Sequence, residues 1–91
     1  MKKLHFTKHL KNRIKLRRIS KTLIKLILAT SQEIYFDNLN KSQIKIGKDK
    51  DTYYMVAYIE TGQITKILTS HPIDGNQIKN RVQRKRWIKI N

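Results

Sequence analysis

The sequence lacks the residues that several kinds of site require. It has no cysteine, which excludes a disulfide framework and a thiolate zinc site. Its three glycines form no phosphate-binding loop, and no nucleophile elbow occurs. Three histidines, and Asp49 and Asp51 among lysines, give no convincing set of metal ligands. We therefore expect neither a metal ion nor a cofactor.

Acidic residues are missing from both ends of the chain. All six lie between residues 33 and 74, whereas ten of the 21 basic residues lie in 1–32 and six in 79–91. The net charge of +15 creates self-repulsion that a polyanion would offset. Nucleic acid is the default partner for such a chain, and a membrane surface or an acidic protein are the alternatives.

Long hydrophobic runs are also missing. A transmembrane helix needs about 18 apolar residues, and the longest cluster, residues 23–29, is interrupted by Lys25. We expect no stable membrane insertion. A basic start before a short apolar run is typical of a signal peptide, but here the basic part is too long and the apolar part too short.

The periodicity of the remaining residues predicts one α+β domain over residues 1–91, beginning with a short strand or arm over 1–7. Thr7 and Ser20 are suited to cap two helices within residues 8–29. The first helix is expected to run to Arg18.

Beyond the helices the apolar period changes to two. This predicts an antiparallel sheet of about four strands over residues 33–71, with the two N-terminal helices packed on it. Residues 76–91 are predicted as a basic tail. A helix from Gln77 to Trp87 followed by an extended end is preferred, and the alternative is a last strand at Trp87-Ile88-Lys89-Ile90.

Three charged residues recur at helical spacing in the first helix. His9, Arg13 and Arg17 stand at i, i+4 and i+8, on one stripe. Histidine suits proton transfer near neutral pH, and arginine clamps phosphate in a planar fork. The alternative is a solvated cationic helix face. The stem of Arg17 could also face the core, which makes Arg18 an equal candidate.

A second group ends the last central strand. Strand alternation sends Thr69 and His71 to one face and Ser70 to the other. A hydroxyl and a histidine at a strand end are typical of the edge of an active site. The alternative is a strand that ends in small polar residues before Pro72.

Aromatic and basic residues further along the chain suggest contacts with RNA. Tyrosines on strands stack on unpaired bases, although they are more often core residues, and the basic tail around the single tryptophan is either an RNA-gripping arm or a solubilising terminus. We predict substrate contacts from Arg17, Arg18, Tyr54, Tyr58, Lys85, Arg86 and Trp87.

The order of these groups resembles a known family. The matching runs cover about residues 4–73 and are Phe6-Thr7-Lys8-His9, Arg13, Arg17 or Arg18, Ile19-Ser20, Glu33-Ile34-Tyr35-Phe36-Asp37 and Ile67-Leu68-Thr69-Ser70-His71-Pro72. They resemble the barnase/EndoU/colicin/RelE-like superfamily of small nucleases, including its phage and polymorphic-toxin variants.

The resemblance implies a metal-independent endoribonuclease toxin that cleaves tRNA or mRNA in the cytoplasm, where it is made or into which it is delivered. It implies a cognate acidic inhibitor, an antitoxin or immunity protein. By motif position it implies catalytic roles for His9, Arg13, Thr69 and His71, although the position of His71 is often aromatic in the superfamily.

The mechanism implied is attack by the 2′-hydroxyl, which leaves a 2′,3′-cyclic phosphate and a 5′-hydroxyl. One histidine takes the 2′ proton, the other protonates the leaving oxygen, and Arg13 and Arg17 stabilise the phosphoryl charge. Cleavage should persist in excess EDTA and fall at least about a hundredfold in His9→Ala.

Two other functions fit the composition. A non-catalytic RNA- or DNA-binding module needs only the basic arms and the tyrosines, and it predicts that His9→Ala and Thr69→Ala leave binding unchanged. An interaction protein with an acidic partner is the third possibility.

Overall fold

The computed structural model describes residues 3–90, so the parts of the predicted arm and tail at Met1, Lys2 and Asn91 lie outside the described residues. Along the chain the elements are β1 (Lys3–Phe6), α1 (Lys8–Leu16), α2 (Lys21–Thr30), β2 (Glu33–Asp37), β3 (Ser42–Asp49), β4 (Thr52–Thr61), β5 (Ile64–Ile73), α3 (Gly75–Gln83) and β6 (Trp87–Lys89). None of the helices found in 3–90 has the length and apolar character needed to cross a membrane.

The sheet has six strands in the order β1-β5-β4-β3-β2-β6. The four central strands form an antiparallel meander, because consecutive strands joined by short turns pair side by side. β1 pairs with β5 in parallel at one edge, and β6 pairs with β2 antiparallel at the other. The fold is therefore α+β with three helices and a mixed sheet.

The predicted architecture of two helices on an antiparallel sheet of about four strands is wrong. Four residues of alternating burial in β1 contain no information about the direction of a partner distant in sequence. The helix preferred within the basic tail is present as α3, which Asp74 and Gln77 start with a reciprocal capping box.

The first two helices begin at the predicted caps. Thr7 Oγ1 accepts a hydrogen bond from Leu10 N at 3.1 Å, and Ser20 Oγ accepts one from Leu23 N at 3.0 Å. Helix α1 stops at Leu16, earlier than predicted, because Arg18 takes a left-handed φ of 56°. The turn that follows leads into α2, which packs against β3 and β4.

Each face of the sheet has its own core. The face covered by α1 and α2, here the front face, buries Leu10, Ile14, Ile19, Ile24, Ile27, Val56, Tyr58 and Ile67. The face that packs against Ile78 of α3, here the back face, buries Tyr35, Ile44, Ile46, Met55, Ala57, Ile73 and Trp87. Alternation along β4 explains the division, since successive side chains point to opposite faces.

Strand β5 positions the predicted strand-end group. Its pairing with β4 shifts register at Ala57, and beyond the shift Thr69 lies opposite Ala57 and His71 opposite Met55. Residues opposite each other share a face, so Thr69 and His71 lie on the back face. Among the described residues β1 pairs with β5 only as far as Ile67, which leaves the edge of β5 beyond it open.

Candidate functional site

Arg17 closes the open edge of β5. Its Nη1 donates to the carbonyl of Ser70 at 2.9 Å and lies 3.4 Å from Thr69 Oγ1. Arg17 follows Ile14 by three positions, which brings its stem towards the buried side of α1. Arg17 therefore links the front-face helix to the strand that carries Thr69 and His71.

His71 is held in one tautomer. Its Nδ1 lies 2.8 Å from the carbonyl oxygen of Pro72. Because a carbonyl can only accept, Nδ1 carries the proton in this contact. The neutral ring then has a free lone pair on Nε2, as a general base requires.

The surroundings of His71 favour this neutral form. Burial lowers the pKa of His71, the Pro72 carbonyl opposes this, and the charges of Arg17 and Arg81 lower it further. A half-buried histidine between two permanent cations is thus neutral over more of the near-neutral range than a free one.

The structure gathers four residues, Arg17, Thr69, His71 and Arg81, which we call the β5-edge cluster. Three of them were predicted as site residues. Arg81 was assigned only to the basic tail, and the signal that could have found it is its spacing from Ile78, the residue through which α3 packs on the back face. Its charge reaches His71 from α3.

His9 and Arg13 are not joined to this cluster by any hydrogen bond or ion pair among the described residues. Both are exposed on α1, and their side chains form no hydrogen bond or ion pair with any residue from 3 to 90. His9 stands eight positions before Arg17, about 12 Å along the helix axis. The alternative between Arg17 and Arg18 is decided by contact, since only Arg17 reaches β5.

Two of the predicted base-stacking rings are buried. Tyr58 is 3% exposed and its hydroxyl donates to Gln43 Oε1 at 2.9 Å. Trp87 is 2% exposed, and its ring centroid lies 5.5 Å from that of Tyr35. Tyr54 packs partly buried against the front core. These rings therefore agree with the alternative interpretation, in which the tyrosines and the tryptophan are core residues.

The two predicted tail cations differ in exposure and pairing. Lys85 is exposed, and its carbonyl accepts from Asn38 Nδ2 at 3.0 Å. Arg86 Nε lies 3.7 Å from Asp37 Oδ1, too long for a hydrogen bond but close enough for charge pairing. Lys85 is thus accessible to a phosphate backbone, whereas the charge of Arg86 is partly compensated by the buried carboxylate of Asp37.

Acidic residues and histidines do not converge in the described part of the chain. Residues 3–90 contain no group of three or more such side chains placed to hold a metal ion. The cluster offers instead an imidazole, a hydroxyl and two guanidinium groups, which can take up a proton and bind an anion.

Comparison with known proteins gives no relative. The chain matches no family model, no curated protein sequence and no solved structure. Its function must therefore be argued from the β5-edge cluster and from the charge of the chain, and the resemblance to small nucleases stays a prediction from the sequence.

Proposed function

We propose that this protein is a metal-independent endoribonuclease with its active site at the β5-edge cluster. One observation carries the proposal, namely that Arg17 binds Thr69 and Ser70, directly before His71, whose Nδ1 contact with the Pro72 carbonyl leaves Nε2 as the acceptor. A general base next to a phosphate clamp is the pair that cleavage of a phosphodiester needs.

In the proposed reaction the 2′-oxygen forms a bond to phosphorus and the bond from phosphorus to the 5′-oxygen breaks. Nε2 of His71 takes the 2′ proton. The leaving 5′-oxygen takes a proton from solvent water, because His9 stands about 12 Å along the axis of α1 from Arg17 and is not within reach of the same phosphate. The products are a 2′,3′-cyclic phosphate and a 5′-hydroxyl.

Arg17 has further N–H donors that can bind the phosphoryl oxygens. A guanidinium has five N–H groups, and the contacts to Ser70 and Thr69 involve only Nη1. Because these contacts fix the side chain, its remaining donors are preorganised for the charge that develops on phosphorus. Arg81 adds a second positive charge from α3.

The charge distribution supports RNA as the substrate. A net charge of +15 steers the chain towards polyanions, and the exposed Arg13, Arg18 and Lys85 can contact phosphates beyond the cleaved one. We further propose, from the resemblance, that it acts as a toxin on tRNA or mRNA in the cytoplasm. An acidic antitoxin or immunity protein would then cover its basic surface.

The test is incubation with total RNA in excess EDTA, followed by analysis of fragment ends. We expect discrete fragments with 2′,3′-cyclic phosphates and 5′-hydroxyls. An oligonucleotide with a 2′-deoxyribose at the cleaved position should resist. Loss of cleavage in EDTA would contradict the proposal. Intact RNA with salt-dependent binding would point to the non-catalytic RNA- or DNA-binding module.

A further inference from the structure

A second cationic feature lies beside α3. A cavity of about 240 Å³ is lined by Gln77, Asn80, Arg81, Arg84 and Arg86, and we call it the α3 pocket. The first four of these residues stand at i, i+3, i+4 and i+7, on one side of the helix. Arg86 joins them from the turn that leads into β6.

Two donors of this pocket are buried and make no hydrogen bond within the part of the chain that the structure describes, although one of them, Arg86 Nε, pairs in charge with Asp37 Oδ1 at 3.7 Å. Arg81 Nη1 and Arg86 Nε have no hydrogen bond to any residue of the described range 3–90. The same holds for Trp87 Nε1, in a side chain 2% exposed that lies under the Arg81 guanidinium at 4.9 Å. Buried donors normally have a hydrogen-bond acceptor. Three buried donors without one, close together beside α3, therefore indicate that the pocket binds an acceptor.

The charge of the pocket indicates what kind of acceptor fits. Three guanidinium groups line the pocket, and the carboxylate of Asp37 interacts with two of them, those of Arg81 and Arg86. One negative charge against three positive charges leaves two of them uncompensated. Asp37 is itself engaged, since Oδ1 accepts from the backbone N–H groups of Leu39 and Asn40. Like charges held together in this way repel each other unless an anion joins them.

The C-terminal end of α3 does not account for the arginines. A helix end attracts cations because its last carbonyls lack partners. Here the backbone N–H groups of Arg84, Lys85 and Arg86 already donate to the carbonyls of Asn80, Val82 and Arg81, respectively. These three carbonyls therefore do not need the guanidinium groups as donors.

We propose that the α3 pocket binds a phosphoryl group through Arg81, Arg84 and Arg86. Guanidinium matches the oxygens of phosphate in a fork of paired hydrogen bonds, and a phosphate dianion balances two positive charges. The ligand is a free phosphate compound or a phosphate of RNA. Only the choice of RNA rests on the proposed function.

The single tryptophan gives a direct readout of binding. Its indole N–H yields one signal in a nitrogen–proton correlation spectrum, and the ring lies against Arg81. Titration with inorganic phosphate should shift this signal to saturation, while sodium chloride at equal ionic strength should not. Arg81→Gln and Arg84→Gln, the latter at an exposed residue, should each weaken phosphate binding by about tenfold or more.

Lys79→Gln is the matched control. It removes one positive charge from the same helix but borders the opposite flank of α3, beside Tyr35 and Tyr53, and should leave phosphate binding within about twofold. The proposal would be overturned by the absence of a saturable shift, by an equal shift with chloride, or by an equal loss of phosphate binding in Lys79→Gln.

A 2′-O-methyl oligonucleotide and a mononucleotide 5′-phosphate distinguish the two sources of the phosphoryl group. Neither requires cleavage, so a failure of the ribonuclease proposal leaves this test intact. Displacement of phosphate by the oligonucleotide supports RNA as the ligand. Displacement by the mononucleotide alone supports the pocket and overturns RNA as its ligand.

Discussion

Replacement of Arg17 with methionine should separate the β5-edge cluster from the general positive charge of the chain. Methionine keeps an apolar stem against the end of α1 but removes the guanidinium that binds Ser70 and Thr69. Arg18→Met is the matched control, because it removes the same charge one residue along the chain from an exposed side chain without that contact.

The magnitude follows from the contact that is lost. The Ser70 residue is fully buried, so its carbonyl on the open strand edge loses a charged donor that solvent replaces poorly. Since Arg17 itself is exposed, we expect a loss of about 1–2 kcal/mol in the free energy of unfolding, below the upper range for charged hydrogen bonds. Cleavage should fall by roughly 10²–10³-fold, as expected for one preorganised donor to the reacting phosphate.

Urea unfolding, followed by far-ultraviolet circular dichroism, should show a midpoint lower by about 1 M for Arg17→Met. Arg18→Met should unfold within about 0.5 M of the wild-type protein. Equal losses of stability and cleavage in the two variants would contradict a role for the contact with β5, because they would show that charge alone governs both.

Other predictions concern packing and pH. Gly47→Ala should cost about 1–3 kcal/mol in urea unfolding, because its Cβ would lie 2.5 Å from Ile27 Cγ1, whereas Gly75→Ala, with nothing within 4 Å, should not destabilise. Burial raises the pKa of Tyr58 to about 12 from 10.0, so stability should fall as pH rises through this interval, and less so in Tyr58→Phe. The pKa of His71 is lowered by burial from 6.5, so stability should fall as pH drops below that value, and His71→Gln should flatten the loss.

Local signals in the sequence predict the helix starts and the central strands. Thr7 and Ser20 precede helical runs, and each supplies the capping oxygen. The strands from β2 to β5 follow from period-two alternation and turn residues, since each pairs with its neighbour in sequence. These features depend on interactions among residues that are close in the chain.

The pairing of the two edge strands depends on distant residues, so the sequence predicts extended segments near both ends but not their partners in the sheet. β1 and β6 pair with strands that local pattern does not identify. The helix preferred within the basic tail is present as α3, and the capping box of Asp74 and Gln77, three positions apart before Ile78, is the local signal that fixes its start.

Spacing predicts the site only in part. Thr69 and His71 share a face as alternation requires, and Arg17 joins them because α1 crosses the open edge of β5. The helical stripe that links Arg17 to His9 extends along α1, and its length separates the two ends. Tyr58 and Trp87 are buried because helices cover the faces of the sheet on which they lie. A single sequence does not specify which helix covers which face.

The most direct test of the account is the single-turnover rate of RNA cleavage in excess EDTA for three proteins. His71→Gln should cleave at least about a hundredfold more slowly than the wild-type protein. His5→Gln, at an exposed histidine on β1, should stay within about twofold of the wild-type rate. Wild-type cleavage that His71→Gln leaves unchanged would contradict the assignment of His71 as the base at the β5-edge cluster.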